Sequence, residues 1–151
     1  MIVIDLFTGA GGLSEGFHEE GYKIVAQVEK EKWACETLKT RLIYHFLKQN
    51  NDLDLYFGFL EKSFNYKTLD QDRTMIFKKY PELKEKIDYE ILNRKFGNPA
   101  NDRQATSSSN IIKEIYASLK YNKATSVDLI IGGPPCQAYS RSEEHTSELQ
   151  S

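Results

Sequence analysis

The sequence predicts an open α/β domain with a doubly wound parallel sheet, and three observations carry that prediction. Ile2-Val3-Ile4 and Lys23-Ile24-Val25-Ala26-Gln27-Val28 are short β-branched runs that end at Asp5 and Glu29, the pattern of strands buried on both faces. The segment between them has the length of a helix and is stopped by Gly21, which makes a βαβ unit. A third apolar run, Asp128-Leu129-Ile130-Ile131, passes through Gly132-Gly133 into Pro134-Pro135-Cys136-Gln137. That order puts a thiol on a stiff loop where a strand ends, the place where open α/β sheets gather their ligands.

Each element follows from local pattern. Leu13 to Glu20 makes two helical turns, with Leu13 and Phe17 at i and i+4 expected to face the sheet. From Lys30 onward Ala34, Leu38, Leu42 and Phe46 recur every four residues and predict a second amphipathic helix packed back on the sheet, with Cys35 in the core beside the stripe. From about Lys48 to Gln104 the chain turns charged, Asn-rich and aromatic-rich, with no strand pattern. Leu53, Tyr56, Phe57, Leu60 and Phe64, then Ile76, Tyr80, Leu83 and Ile87, follow helical spacing, so residues 48–104 read as a helical insertion. Gly97-Asn98-Pro99 and Thr106-Ser107-Ser108-Ser109 form turn and loop before a helix over Ile111–Leu119 with Asn110 as its N-cap, and the third main strand starts near Val127.

Composition bounds the function. At 151 residues, 40% hydrophobic and 28% charged, the chain is ordinary for one globular domain. The start has no signal-peptide pattern and no apolar run approaches a membrane span, so a cytoplasmic protein with no membrane partner is expected. Cys35 and Cys136 are too few for a disulfide framework and lack metal-ligand spacing, so free thiols and no metal site are expected. A formal charge of −2 provides no basic footprint for nucleic acid on this segment, although a cofactor-holding domain can leave the grip on DNA to another part of its protein.

Asp5-Leu6-Phe7-Thr8-Gly9-Ala10-Gly11-Gly12-Leu13 leads from a strand into a helix. Glycines there let a ligand approach the backbone, and the helix start offers free N–H groups to it. The dinucleotide fingerprint wants a glycine where Ser14 stands, which disfavours a nicotinamide and favours a smaller adenosine ligand. Glu29, twenty residues after Gly9, is placed to take both ribose hydroxyls with its two carboxylate oxygens. At the other loop, two prolines of restricted φ hold Cys136 stiff and exposed, as a nucleophilic thiolate requires, and the Gln137 amide can orient a substrate. Attack of such a thiolate on C6 of cytosine would load electron density onto C5, which then takes a methyl group from a sulfonium. Loss of the C5 proton and the thiolate ends the cycle, and a base in a duplex has to be flipped out to be reached.

These two loops resemble the first motif and the catalytic motif of the DNA (cytosine-5)-methyltransferases that use S-adenosylmethionine, with Gly132-Gly133-Pro134-Pro135-Cys136-Gln137-Ala138-Tyr139-Ser140 as the catalytic one. The resemblance implies a Rossmann-like S-adenosylmethionine-dependent methyltransferase fold, here truncated and carrying the helical insertion. It implies Cys136 as nucleophile, Phe7, Gly9, Gly11, Gly12, Leu13 and Glu29 as cofactor-binding residues, and Pro135 and Gln137 at the substrate. The family often has a bulky apolar residue where Lys30 stands, and its Gly-Asp-Ile-like motif is not evident. Its Glu-Asn-Val motif, Arg-x-Arg motif, target-recognition domain and last cofactor motif follow the catalytic loop and are not in this chain. Double-stranded DNA is therefore expected as a partner through the missing carboxy-terminal part, with a cognate restriction endonuclease as a genetic partner.

Arg141 to Ser151 resembles the translation of a common short-read sequencing adapter. The expected organisation is an amino-terminal part of a catalytic domain over residues 1–140 and a non-native tail over 141–151, inactive alone. Leaving the tail out removes one Arg and three Glu and brings the formal charge to zero. His145 then has no catalytic role, and His18 and His45 read as surface residues of helices. Two other classes stay open: an oxidoreductase domain binding a nucleotide cofactor, and a non-catalytic remnant that binds DNA or protein.

Overall fold

The computed structural model describes residues 1–62 and 72–134. Four strands form one all-parallel sheet in the order β3-β2-β1-β6: β1 (Ile2–Leu6), β2 (Lys23–Glu29), β3 (Ile91–Asn93) and β6 (Leu129–Gly132). The helices are α1 (Gly12–Glu19), α2 (Lys32–Gln49), α3 (Leu53–Lys62), α4 (Thr74–Lys79), α5 (Pro81–Glu90) and α6 (Ser108–Tyr121). A second sheet of two short parallel strands, β4 (Lys95–Phe96) and β5 (Ala105–Thr106), lies between β3 and α6 in the chain. Strand order turns at β1, which pairs with β2 on one side and with β6 on the other. The carboxyl ends of β1 and β6 therefore open side by side, as in a Rossmann-like fold.

Central strands are buried as their β-branched runs predict. Val3, Val25 and Ala26 are fully buried, and α6 covers Ile4, Val25, Val28 and Leu92 through Ile111, Ile115 and Leu119. A separate cluster, Cys35, Leu38, Ile43, Leu47, Phe59, Ile76, Leu83 and Ile87, joins α2 to α3, α4 and α5 and reaches the sheet at Ile91. Two helix ends follow simple rules. Gly21, at φ +80, lets its amide reach the His18 carbonyl and ends α1. Ser107 caps α6, its hydroxyl accepting from the Asn110 amide.

Three expectations need correction. Among the described residues the insertion is helical as far as Glu90, but Ile91–Asn93 is a strand of the main sheet and 95–96 belongs to a second sheet. A three-residue strand has no period to read, and pairing with β2 is what makes it one. The α6 cap is Ser107, and the helix begins three residues before Ile111, because Asn110 already lies inside the first turn. Leu13 is 51% exposed and Ser14 is buried in its place, since a hydrogen bond from Ser14 to Asp5 sets the rotation of α1.

Arg73, just ahead of α4, pins the helical segment to α2. It is almost fully buried, donates to the Glu36 carboxylate, the Glu36 carbonyl and the Thr40 hydroxyl, and lies over the Phe59 ring. Burial works to raise the pKa of Glu36, but hydrogen bonds from Lys39 and Arg73 outweigh it and hold the carboxyl below its ordinary value of 4.5. That contribution to stability is present above pH 4.5 and is lost as acid protonates Glu36. Arg73→Met is expected to cost about 2 kcal/mol, because Glu36 loses its buried partner but keeps Lys39. The urea midpoint reads it, and an unchanged midpoint would contradict the pinning role.

Candidate cofactor site at the strand ends

The β1–α1 loop is shaped for close approach. Gly9 (φ +58) and Gly11 (φ +83) are left-handed, and so is Phe7 (φ 58), which has no glycine's excuse. A Cβ on Gly11 would lie 2.6 Å from Leu38 Cδ2 of α2. At Gly9 and Gly12 no atom stands within 4 Å of where a Cβ would be, so both face open space. The first intrahelical bond of α1 runs from the Glu15 amide to the Gly11 carbonyl, which leaves the amides of Gly12, Leu13 and Ser14 ahead of it at the loop mouth.

Short-range hydrogen bonds hold this loop. The Thr8 amide donates to the Val28 carbonyl at 3.2 Å, the Thr8 hydroxyl to the Asp5 carbonyl at 3.0 Å, and the Gly11 amide to the Thr8 carbonyl at 3.2 Å. Beneath it, Ser14 donates to one carboxylate oxygen of Asp5 and accepts from Gln27 Nε2 at 2.9 Å. The residue that breaks the dinucleotide fingerprint is thus an anchor of the loop. Asp5 is 1% exposed, and its Oδ1 finds no hydrogen-bond partner among the described residues. Burial pushes its carboxyl pKa up, the Ser14 bond works against that, and the charge of Glu29 adds to it.

Glu29 ends β2 and is buried. Its Oε2 accepts the Gly9 amide at 2.7 Å and its Oε1 accepts the Glu31 amide at 2.8 Å. Each oxygen has already taken one backbone donor and keeps a second lone pair for a ligand hydroxyl. The carboxylate therefore also ties β2 to the glycine loop, which the sequence reading did not foresee. Asn93, at the end of β3, locks the following turn by donating to the Glu29 and Lys30 carbonyls, both at 3.0 Å, and the Arg94 amide donates to the Glu29 carbonyl at 2.9 Å. Lys30 extends toward Glu31 at 3.5 Å, and Trp33 stands 56% exposed with Lys32 over its ring.

The Phe7 ring, 37% exposed, packs against Phe96 with centroids 5.2 Å apart and planes tilted by 39°. Phe96, Asn93 and Gln27 were not picked out from sequence. None belongs to a motif with a chemical signature, and only folding brings them to the loop.

Cys136, Pro135 and Gln137, the expected nucleophile and substrate residues, lie outside the described residues, as do residues 141–151. The chain leading to them is described. Leu6 pairs with Gly132, so the loop starting at Gly133 leaves the sheet beside the loop starting at Phe7. Cys136 is four positions along the chain from Gly132, which bounds its reach from that point at about 14 Å. Cys35, by contrast, is buried with its thiol pushed up to about 11 by desolvation, a shift that the Asn93 hydrogen bond only partly offsets. A thiol in that state is inert at neutral pH.

His18 and His45 are not free surface residues. Their rings stack at 4.0 Å between α1 and α2, and Glu15 meets both His45 Nε2 and Arg41. They line a groove of about 420 Å³ between α1 and α2 that also touches Gly11 and Ser14 of the glycine loop. Among the described residues no group of three or more His, Cys, Asp or Glu is placed to hold a metal ion, and no helix is long and apolar enough to cross a membrane.

Comparison with known proteins adds the family. The family model for C-5 cytosine-specific DNA methylases matches residues 1–55. The type II methyltransferase M.Bpa9945I of Bacillus paralicheniformis is 66% identical over 140 residues, covering 93% of this chain and 32% of its own. The putative type II methyltransferase M.MjaORF1200P of Methanocaldococcus jannaschii is 28% identical over 145 residues, covering 90% of this chain and 35% of its own. The type II methyltransferase M.DdeI of Desulfomicrobium norvegicum is 49% identical over 37 residues, 24% of this chain and 9% of its own. The chain thus spans about a third of the length of the first two relatives. No solved structure matches it.

Proposed function

Because the chain belongs to the C-5 cytosine-specific DNA methylase family, we propose that it is the amino-terminal part, residues 1–140, of an enzyme that methylates C5 of cytosine in double-stranded DNA. The observation that carries the reading is the Leu6–Gly132 pairing, which sets the glycine loop and the chain leading to Cys136 side by side.

The residues at the glycine loop fit S-adenosylmethionine. Gly9 and Gly12 leave room for the ligand against the backbone. Gly11 and Leu13 shape the first turn of α1 around it, and Phe7 offers a ring face. The remaining lone pairs of Glu29 accept the ribose hydroxyls. When bound, S-adenosylmethionine supplies an electrophilic methyl group. Cys136, as thiolate, bonds to C6 of a flipped cytosine and the pair displaced from the C5–C6 double bond makes C5 nucleophilic. After methyl transfer the C5 proton leaves, and its bonding pair re-forms the double bond as the Cys136 sulfur departs. Pro135 and Gln137 position the base.

The groups that activate the ring and read the DNA belong to the part of the enzyme that follows residue 140, so the chain alone is expected to be inactive. DNA recognition and the link to a cognate endonuclease lie there as well. Residues 141–151 are a non-native tail in this reading. A hybrid in which residues 1–140 replace the matching segment of the Bacillus relative is expected to place methyl groups on cytosine C5, read by bisulfite sequencing of the DNA. A folded hybrid that leaves cytosine unmodified, while the unaltered relative modifies it, would sink the proposal.

A further inference from the structure

We infer that the stacked rings of His18 and His45 are a proton-operated clamp between α1 and α2, closed while His18 is neutral and opened when mild acid charges it, so that the glycine loop loses its seat on α2. The clamp does not depend on what that loop binds.

The two helices face each other across the groove that both line. The ring stack bridges it, with centroids 4.0 Å apart and planes 33° apart. Glu15, one turn ahead of His18 on α1, closes the bridge from the side. Its two carboxylate oxygens meet His45 Nε2 at 2.9 and 3.0 Å, and Arg41 stands 3.3 Å from one of them. A nitrogen facing a carboxylate carries its proton in the neutral tautomer and in the cation alike, so His45 is committed to Glu15. The His18 ring, half-buried against it, is the member of the pair whose charge is disfavoured.

The surrounding charges explain why. Burial, then the His45 ring, then Lys48 of α2 hold the His18 pKa below its ordinary 6.5, and Glu15 and Glu19 of α1 offset them only in part. The carbonyl end of α1, where His18 sits, also favours the charge without reversing that balance. Across the groove stand Tyr22 and Lys23 at the start of β2, and Lys86 and Glu90 of α5. Acid that charges both rings leaves two cations 4.0 Å apart, with a nearby carboxylate already shared with Arg41. Because the folded His18 binds fewer protons than the unfolded one, the stability it contributes is present above pH 6.5 and is lost as pH falls below it. Asp5 and Glu90 have the opposite sign, since burial raises both carboxyls and folding would then gain from acid. Glu15 and Glu36, held below 4.5, stay ionised throughout.

The clamp reaches the glycine loop through α1, which is eight residues long and follows directly on Gly11. Gly11 lies so close to α2 that a Cβ on it would stand 2.6 Å from Leu38 Cδ2, and it lines the same groove with Ser14. A short helix moves as one piece, so losing the hold at His18 shifts the loop at its other end.

The test compares the 151-residue chain at about pH 7.5 and about pH 5.5, a window in which histidine is the side chain that ordinarily titrates. The readouts are the urea midpoint and hydrogen exchange of the amides of residues 9–19, corrected for the intrinsic rate at each pH. In the wild type the midpoint is expected to fall in acid and the corrected exchange to quicken about fivefold or more, as two like charges at this separation produce even in bulk water. His18→Phe keeps a ring on His45 that takes no proton, and His18→Gln puts an uncharged polar side chain there; both are expected to lose most of the response. His145→Gln, which removes the remaining histidine of the chain, is expected to respond as the wild type does. A wild type whose midpoint and exchange ignore pH overturns the clamp, and so does a full response in either folded His18 variant. A falling midpoint with unchanged exchange over residues 9–19 overturns the release of the loop, and with it the proposal. If His18→Phe does not fold at about pH 7.5, His18→Gln decides by the same two readouts.

Discussion

Cys136→Ser in the hybrid enzyme is expected to lower methyl transfer by about 10⁴-fold or more. In the proposed mechanism the step that needs Cys136 is addition to C6 of the cytosine ring, and a serine hydroxyl is not ionised at neutral pH, whereas a thiol near its pKa of about 8.5 supplies thiolate. No other described group can stand in. Cys35 is buried with its thiol at about 11 and hydrogen-bonded within the α2–β3 contact. The measurement is transfer of tritium from S-[methyl-³H]adenosylmethionine to DNA, with S-adenosylhomocysteine binding as control. Binding should survive the change, because the cofactor loop and the thiol leave from different strands. A variant that keeps more than about one hundredth of the activity would rule out the covalent route, since losing a nucleophile costs far more than that. A binding remnant without catalysis would instead show no methyl transfer in the unmodified hybrid.

Gly132→Ala is expected to cost more than about 4 kcal/mol, a loss reserved for changes the structure cannot absorb. A Cβ at Gly132 would stand 2.0 Å from the Leu6 carbonyl oxygen and 3.0 Å from its carbon. These are backbone atoms of the central strand, so neither can swing away as a side chain would. The β1–β6 register has to open at its last pair, where the glycine loop and the chain leading to Cys136 begin. Urea unfolding of the 151-residue chain reads the cost, and wild-type stability in the variant would mean that this pairing is not what the strands adopt. Gly133, where no atom lies within 4 Å of an added Cβ, is the control position and should tolerate alanine sterically.

Much of the fold was legible because its signals are local. Ile2-Val3-Ile4 and the run into Glu29 are apolar on both faces, which only a buried strand needs. The stripe in α4–α5 carries its period in the sequence, and Ile76, Leu83 and Ile87 are buried as that period requires, whereas burial in α2 centres on Cys35, Leu38, Ile43 and Leu47, and of the expected stripe Ala34, Leu38, Leu42 and Phe46 only Leu38 is buried. The glycine loop was equally readable, since glycine at a strand-to-helix turn has a steric reason visible without coordinates. What failed was short or relational. Leu13 and Ser14 exchange places because one buried hydrogen bond to Asp5 outweighs a two-residue apolar spacing. The histidines of α1 and α2 meet across an interface that neither helix reveals alone.

The sequence by itself determined the chemistry on offer: a glycine loop, a carboxylate after the second strand, a cysteine loop after the last described one, and the family to which they belong. Those are properties of residue type at fixed local spacing. Only the tertiary structure decided which surfaces face that chemistry. It placed β3 beside β2, set Phe96 against a ring 89 positions away, and turned Glu29 into a strut for the loop it was expected only to serve. The physical reason is that such contacts form when the sheet closes. A three-residue strand and a lone phenylalanine carry no period, so their positions are supplied by the strands and backbone groups that fold around them.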